Sequence, residues 1–124
     1  MGDFKKLTVW QRAHTVAVAT LQATKTLPRD DRSGLAAQMC RAAVSITANI
    51  AESAGRGHPR DQCRFLLHAR GSARELESHL LLARDCGLLS SVAFQEISQP
   101  LDEVQRMLTV MVRRVARAGR SVIG

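Results

Sequence analysis

The sequence predicts an all-α protein folded as an antiparallel up-down-up-down four-helix bundle. Three observations predict it. Apolar residues recur three and four apart in four separate stretches, the period of a helix with one buried face. Each stretch is bounded by capping or helix-stopping residues, and no run alternates as a half-buried strand would. The apolar residues, 45% of the chain, are almost all aliphatic, with Phe4, Trp10, Phe65 and Phe94 the only aromatics. A length of 124 residues fits a single domain with one core and needs neither metal nor disulfide to hold it.

The first helix is expected over residues 8–27. Thr8-Val-Trp-Gln11 has the form of a capping box, Trp10, Ala13, Ala17, Leu21 and Thr24 repeat at helical spacing, and Pro28 stops the run. The second is expected over 31–54, capped by Asp30 or Asp31. Its buried stripe is Leu35, Met39, Ala42, Ala43, Ile46 and Ile50, and it ends at Gly55-Arg-Gly57, where left-handed glycine geometry is expected. Pro59 opens the third helix, 59–86, whose stripe runs Phe65, Leu66, Ala69, Ser72, Ala73, Leu76, Leu80, Ala83 before Gly87. Gly71 costs about 1 kcal/mol inside a helix, so a neighbouring helix is expected to approach closely at the Gly71-Ser72-Ala73 patch. The fourth helix, 91–117, carries the seam Phe94, Ile97, Leu101, Val104, Leu108, Met111, Val115. Pro100 predicts a kink or short break near Gln99, and residues 118–124 are expected to fray. Trp10, Ile46, Phe65, Leu76 and Leu108 are the expected core. Short connectors between similar helices give the up-down order.

Eighteen Lys plus Arg against eleven Asp plus Glu leave a net charge of +7. Only Lys5, Lys6 and Lys25 are lysines. Arginine presents a planar fork that matches phosphate, so the surplus suits a nucleic-acid or acidic-protein partner. Cys40, Cys63 and Cys86 are odd in number and lack CxxC spacing, which reads as buried thiols in a reducing compartment. No metal site and no cofactor are expected. With neither a leader pattern nor an apolar run of membrane-spanning length, cytoplasm is the expected location.

Three stretches together carry a resemblance: Phe4-Lys-Lys-Leu-Thr-Val-Trp-Gln-Arg-Ala13, Arg41-Ala-Ala-Val-Ser-Ile-Thr-Ala-Asn-Ile-Ala-Glu-Ser-Ala-Gly-Arg56, and Phe65-Leu-Leu-His-Ala-Arg-Gly-Ser-Ala-Arg-Glu-Leu-Glu77 with the Ala83-Arg-Asp-Cys-Gly87 turn. In this order they resemble the four-helix bundle proteins encoded in intervening sequences of bacterial large-subunit ribosomal RNA genes, over residues 3–117. Thr47 and Ser53 depart from residues common in that family, Pro and Gly. The resemblance implies a homo-oligomer, a pentamer, without an established catalytic site. It extends to the accessory proteins of diversity-generating retroelements, basic pentameric barrels that bind nucleic acid and a reverse transcriptase. A protein partner is therefore a further expectation.

The arginines carry the binding hypothesis. From Val104 onward there are no acids, and Arg106, Arg113, Arg117 and Arg120 fall near one helical face, with Arg114 beside them. Arg56, Arg60 and Arg64 form a second group at the loop before the third helix and its first turns, where free helix N–H groups also favour phosphate. Few aromatics means that binding to RNA or DNA should be led by phosphate and weakly sequence-specific. The competing reading is an oligomeric interaction scaffold with a merely solvated basic face. Val16, Val18, Val110, Val112, Leu81 and Leu82 exceed what one intramolecular face absorbs, which predicts self-association. A remote third reading is a helical ribonuclease using Arg74 and His79 as phosphate holder and general acid/base. Asn49 and Glu52 read as structural, Asn49 bonding to a neighbouring helix and Glu52 pairing with Arg41 or Arg74. The chain is thus expected to bind and not to catalyse.

Overall fold

The computed structural model describes residues 2–28 and 33–123, the last three of these as backbone. It is all-α: a 3-10 turn at Phe4–Lys6 leads into α1 (Thr8–Thr24), α2 (Leu35–Gly55), α3 (Pro59–Asp85) and α4 (Ser91–Ile123). Each helix packs on its sequence neighbours and α1 closes against α4, while the diagonal pairs make no approach. This is the up-down four-helix bundle that the periodicity predicts.

The core follows the apolar stripes closely in α2, α3 and α4. Met39, Ala43, Ile46, Ile50, Leu66, Leu76, Val104 and Leu108 are fully buried. In α1 the stripe lies one residue off the expected one: Val9, Ala13, Val16, Ala17 and Thr20 are buried, whereas Leu21 is exposed. Val16, expected as surplus apolar surface, is therefore core. Trp10 and Phe65 are half-buried instead of central. Trp10 lies against Phe4 and stacks on His14 at 4.8 Å, and packs on the core from its edge. The buried Thr20 hydroxyl donates to the Val16 carbonyl at 2.8 Å, which satisfies it inside its own helix.

Several helix ends differ from expectation for local reasons. The capping box at Thr8 does not form, since Leu7 is the cap residue and the Gln11 amide instead donates to the Lys5 carbonyl at 2.9 Å. The Asp30/Asp31 cap lies outside the described residues. Within them α2 starts at Leu35, after Gly34 at φ +69°, with the Ser33 hydroxyl accepting from the Leu35 N–H. Gly55 and Gly57 are not left-handed, because Arg56 ends α2 in an extended conformation (φ −87°, ψ 139°). Gly87 is left-handed (φ +76°) and the Leu88 N–H reaches the Ala83 carbonyl at 2.8 Å, a Schellman stop for α3.

Two expectations about α4 fail. The helix runs unbroken through Pro100; the freed carbonyl belongs to exposed Glu96, where water can take the place of the missing donor. It also continues to Ile123 instead of fraying from 118, because Gly119 lets it pack on the start of α3. A Cβ at Gly119 would stand 3.3 Å from Pro59 Cβ. The approach expected at Gly71-Ser72-Ala73 is made within that patch but not at the glycine, which is exposed with nothing within 4 Å of the Cβ position. The close α2–α3 contact falls one residue on, where the Ser45 and Ser72 hydroxyls lie 2.8 Å apart. The cysteines are more open than expected, Cys40 and Cys63 half-buried and Cys86 exposed. Among the described residues no helix is long and apolar enough to cross a membrane.

Candidate nucleic-acid interface

The bundle aligns two arginine rows that are far apart in sequence. Because α3 and α4 are antiparallel, Arg60 and Arg64 at the start of α3 share a cleft with Arg120 near the end of α4. Farther along the same seam, Arg70 and Arg74 share a groove with Arg106. At 1.5 Å per residue, each row, 60–74 and 106–120, is about 21 Å long, and adjacent helix axes lie about 8–10 Å apart. The face so formed spans about six base-pair steps of a duplex at about 3.4 Å of helix axis per step.

Nearly all the protein's charge imbalance resides on these two segments. They hold nine arginines, four on α3 and five on α4, against the single acid Asp61, a net of +8. The whole chain is +7, so everything else sums to −1. Seven of the nine, Arg60, Arg70, Arg74, Arg113, Arg114, Arg117 and Arg120, make no ion pair or ring contact among the described residues. Arg106 is held by Asp102 and Arg64 by Asp61 at 3.8 Å, both exposed pairs between helix neighbours. Exposed pairs of that kind are weak and readily exchanged for phosphate.

The candidate residues are not all equivalent. On α4, Arg106, Arg113, Arg117 and Arg120 lie within about 60° of one another on the outward face, whereas Arg114 is turned about 80° from Arg106, toward the α1 side. Arg56 belongs to a different arrangement: it pairs with Glu52 at 3.2 Å and lies over the Phe65 ring at 4.8 Å. Arg64 covers Phe65 from 4.8 Å as well, which leaves that ring between two guanidinium groups and closed to a nucleobase. Arg70 is not among the residues the sequence singles out, and Arg74 enters there only as the phosphate holder of the ribonuclease reading. The spacing test that found the α4 stripe, applied to α3, would have gathered Arg60, Arg64 and Arg74 within about 80°.

The remaining polar groups are structural. Asn49 donates to the Ser45 carbonyl at 2.8 Å and to the Ser45 hydroxyl at 3.1 Å, within its own helix. Glu52 pairs with Arg56 and with neither Arg41 nor Arg74. Glu75 engages His79 at 3.3 Å, and Glu77 accepts from Gln105 at 3.0 Å. Arg74 and His79 project about 140° apart on α3, so one phosphate cannot meet both within a protomer. No three His, Cys, Asp or Glu side chains among the described residues converge as metal ligands.

Fold and face together define a class: an up-down helical bundle with its net charge concentrated on one helix pair. Residues 5–110 match the 23S rRNA-intervening sequence protein family, and the chain belongs to that family. Arg113, Arg114, Arg117 and Arg120 lie beyond the matched segment. A solved structure from Bacteroides thetaiotaomicron, a protein of unknown function from the S23 ribosomal protein family, is similar in fold, with a TM-score of 0.79. The two are 23% identical, over 85% of this chain and 98% of the other. Among curated proteins none matches the chain.

Proposed function

We propose that this protein is a non-enzymatic, self-associating bundle that binds RNA or DNA phosphates through the α3–α4 face. The observation that carries the reading is the confinement of the net charge: +8 on two antiparallel helix segments and −1 on the rest. A merely solubilising surplus would be spread over the surface, whereas a row of unpaired arginines is an electrostatic footprint for a polyanion. Guanidinium forks along about 21 Å of straight helix suit a regular phosphate backbone. The face carries no open aromatic ring, so recognition follows backbone shape more than base identity. Self-association is supported by exposed Val18, Leu21, Leu81, Leu82 and Val92, which are 40–68% accessible. A ring such as the resemblance to retroelement accessory proteins implies would multiply the charge presented to nucleic acid. The divergence of Arg74 from His79 favours binding over hydrolysis.

The test is fluorescence anisotropy of a labelled structured RNA and a DNA duplex at several salt concentrations. Binding that weakens steeply as salt rises supports the reading. No binding at low salt, from protein shown to be folded, refutes it. The same exposed apolar side chains would then favour a protein-interaction scaffold, and a protein partner becomes the object of search.

A further inference from the structure

At one end of the basic face, the seam between α3 and α4 opens into a cleft of about 620 Å³. Its rim is cationic and its floor aliphatic: Arg60, Arg64 and Arg120 surround Leu67, Val115 and Ala116. A site that only gripped backbone phosphates would need no such floor. Small-molecule sites have this composition, mostly apolar walls with a few placed polar groups, in volumes of roughly 300–1,000 Å³. The cleft is also built into the packing. A Cβ at Gly119 would stand 3.3 Å from Pro59 Cβ, so α4 packs closely on the start of α3 where Arg60 and Arg120 line the opening. His58 and His68, both exposed, stand at its edge as further hydrogen-bonding groups.

We infer that this cleft takes one unstacked nucleotide of a single-stranded segment, with the base against Leu67, Val115 and Ala116 and the flanking phosphates on Arg60, Arg64 and Arg120. The inference rests on the nucleic-acid reading above and deepens it by naming the strand state. A base inside a duplex must be unpaired and unstacked before it can enter a cleft, whereas a single strand offers it at little cost. The protein therefore prefers a single-stranded end or loop lying on a face that also holds duplex backbone. Charge argues against a second copy as the occupant: two basic faces brought together symmetrically would set nine arginines against nine. Exposed Gly71, between Leu67 and Arg74 in the chain, has nothing within 4 Å of its Cβ position, so no side chain crowds that point of α3.

The test compares a short oligoadenylate with a blunt duplex by anisotropy, on the wild-type chain and on Ala116→Leu, which fills the floor without adding a ring on which a base could stack. Filling the floor leaves every arginine in place. The inference expects oligoadenylate affinity to fall about tenfold, in the range of losing one stacked base, and duplex affinity to stay unchanged. A melting curve confirms that the variant folds. Leu67→Asn, at an already exposed position, provides a second variant with the same expected selectivity. Independently, in a Cys40→Ser/Cys86→Ser background, oligoadenylate should slow alkylation of the cleft residue Cys63, and duplex should not. Equal losses for both ligands, or unchanged oligoadenylate affinity in both variants, overturns the cleft assignment and leaves phosphate binding standing. Slowing of Cys63 alkylation by raised protein concentration alone also overturns it, because a second copy then covers the cleft. If neither nucleic acid binds at all, the proposed function itself falls.

Discussion

Arg113 and Arg117 are one turn apart on the outward face of α4, exposed, and without an ion pair among the described residues. Replacing both by Ala should weaken duplex binding by an amount that the salt dependence fixes. Each phosphate contact contributes about 0.9 to the magnitude of the slope of log K against log salt, so losing two lowers it by about 1.8. Referred to about 1 M salt, where the counterion term vanishes, the double variant binds about 60-fold more weakly at about 0.1 M. Folding should hardly change, since no packing and no ion pair is lost and Ala is the better helix former. The assay is anisotropy with a DNA duplex at four or more salt concentrations, beside a thermal melt of each protein. Parallel salt lines for variant and wild type, with equal melting temperatures, would refute the reasoning: those arginines would then touch no phosphate.

Other consequences test the fold itself. Ile46→Ala empties a fully buried site between helices and should cost about 2–5 kcal/mol in urea unfolding. The Ser45–Ser72 hydroxyl pair joins α2 to α3, and a double-mutant cycle to Ala should return a coupling of about 0.5–1.5 kcal/mol. Gly71→Ala meets nothing within 4 Å and should stabilise the chain by about 0.5–1 kcal/mol, whereas Gly119→Ala, 3.3 Å from Pro59 Cβ, should gain less. Pro100→Ala returns a donor to the α4 ladder and should stabilise by about 1–3 kcal/mol, read from the urea midpoint at constant slope.

The fold was legible wherever burial was decided by a single helical stripe. In α2 the six apolar positions read from spacing are all buried, and of the large apolar residues on that helix only Val44 lies off the stripe and exposed. In α1 two stripes compete, one starting at Val9 and one at Trp10, and ring size favours the wrong one. The larger residue draws the eye, but the ring packs on the core from its edge beside Phe4 and His14 while small Val9 enters the core. The capping box failed for a related reason: Gln11 had a better acceptor in the Lys5 carbonyl of the preceding turn, which local pattern at Thr8 does not reveal. The glycine signal is coarse, because the close approach expected at Gly71-Ser72-Ala73 is made by Ser72 against Ser45. A helix-interior Gly signals a need for space but not what uses it, and here the packed one is Gly119 while Gly71 faces outward.

The candidate site was legible by row but not by pairing. The α4 arginines stand out because no acid follows Glu103, a one-dimensional signal. Arg70 and Arg74 have Glu75 and Glu77 close by in the chain, so charge along the sequence cancels there. In space it does not. Glu75 is drawn to His79 and Glu77 to Gln105, and the two arginines are left to face Arg106 across the seam. The antiparallel crossing then joins what the sequence keeps far apart, Arg60 with Arg120 at one end and Arg74 with Arg106 at the other. Like charges lined up across a helix seam repel in the free protein, and nothing in the packing requires them there. Salt and the carboxylates of Asp61 and Asp102 relieve part of that repulsion, and under the proposed function a polyanion lying along the rows would relieve more of it.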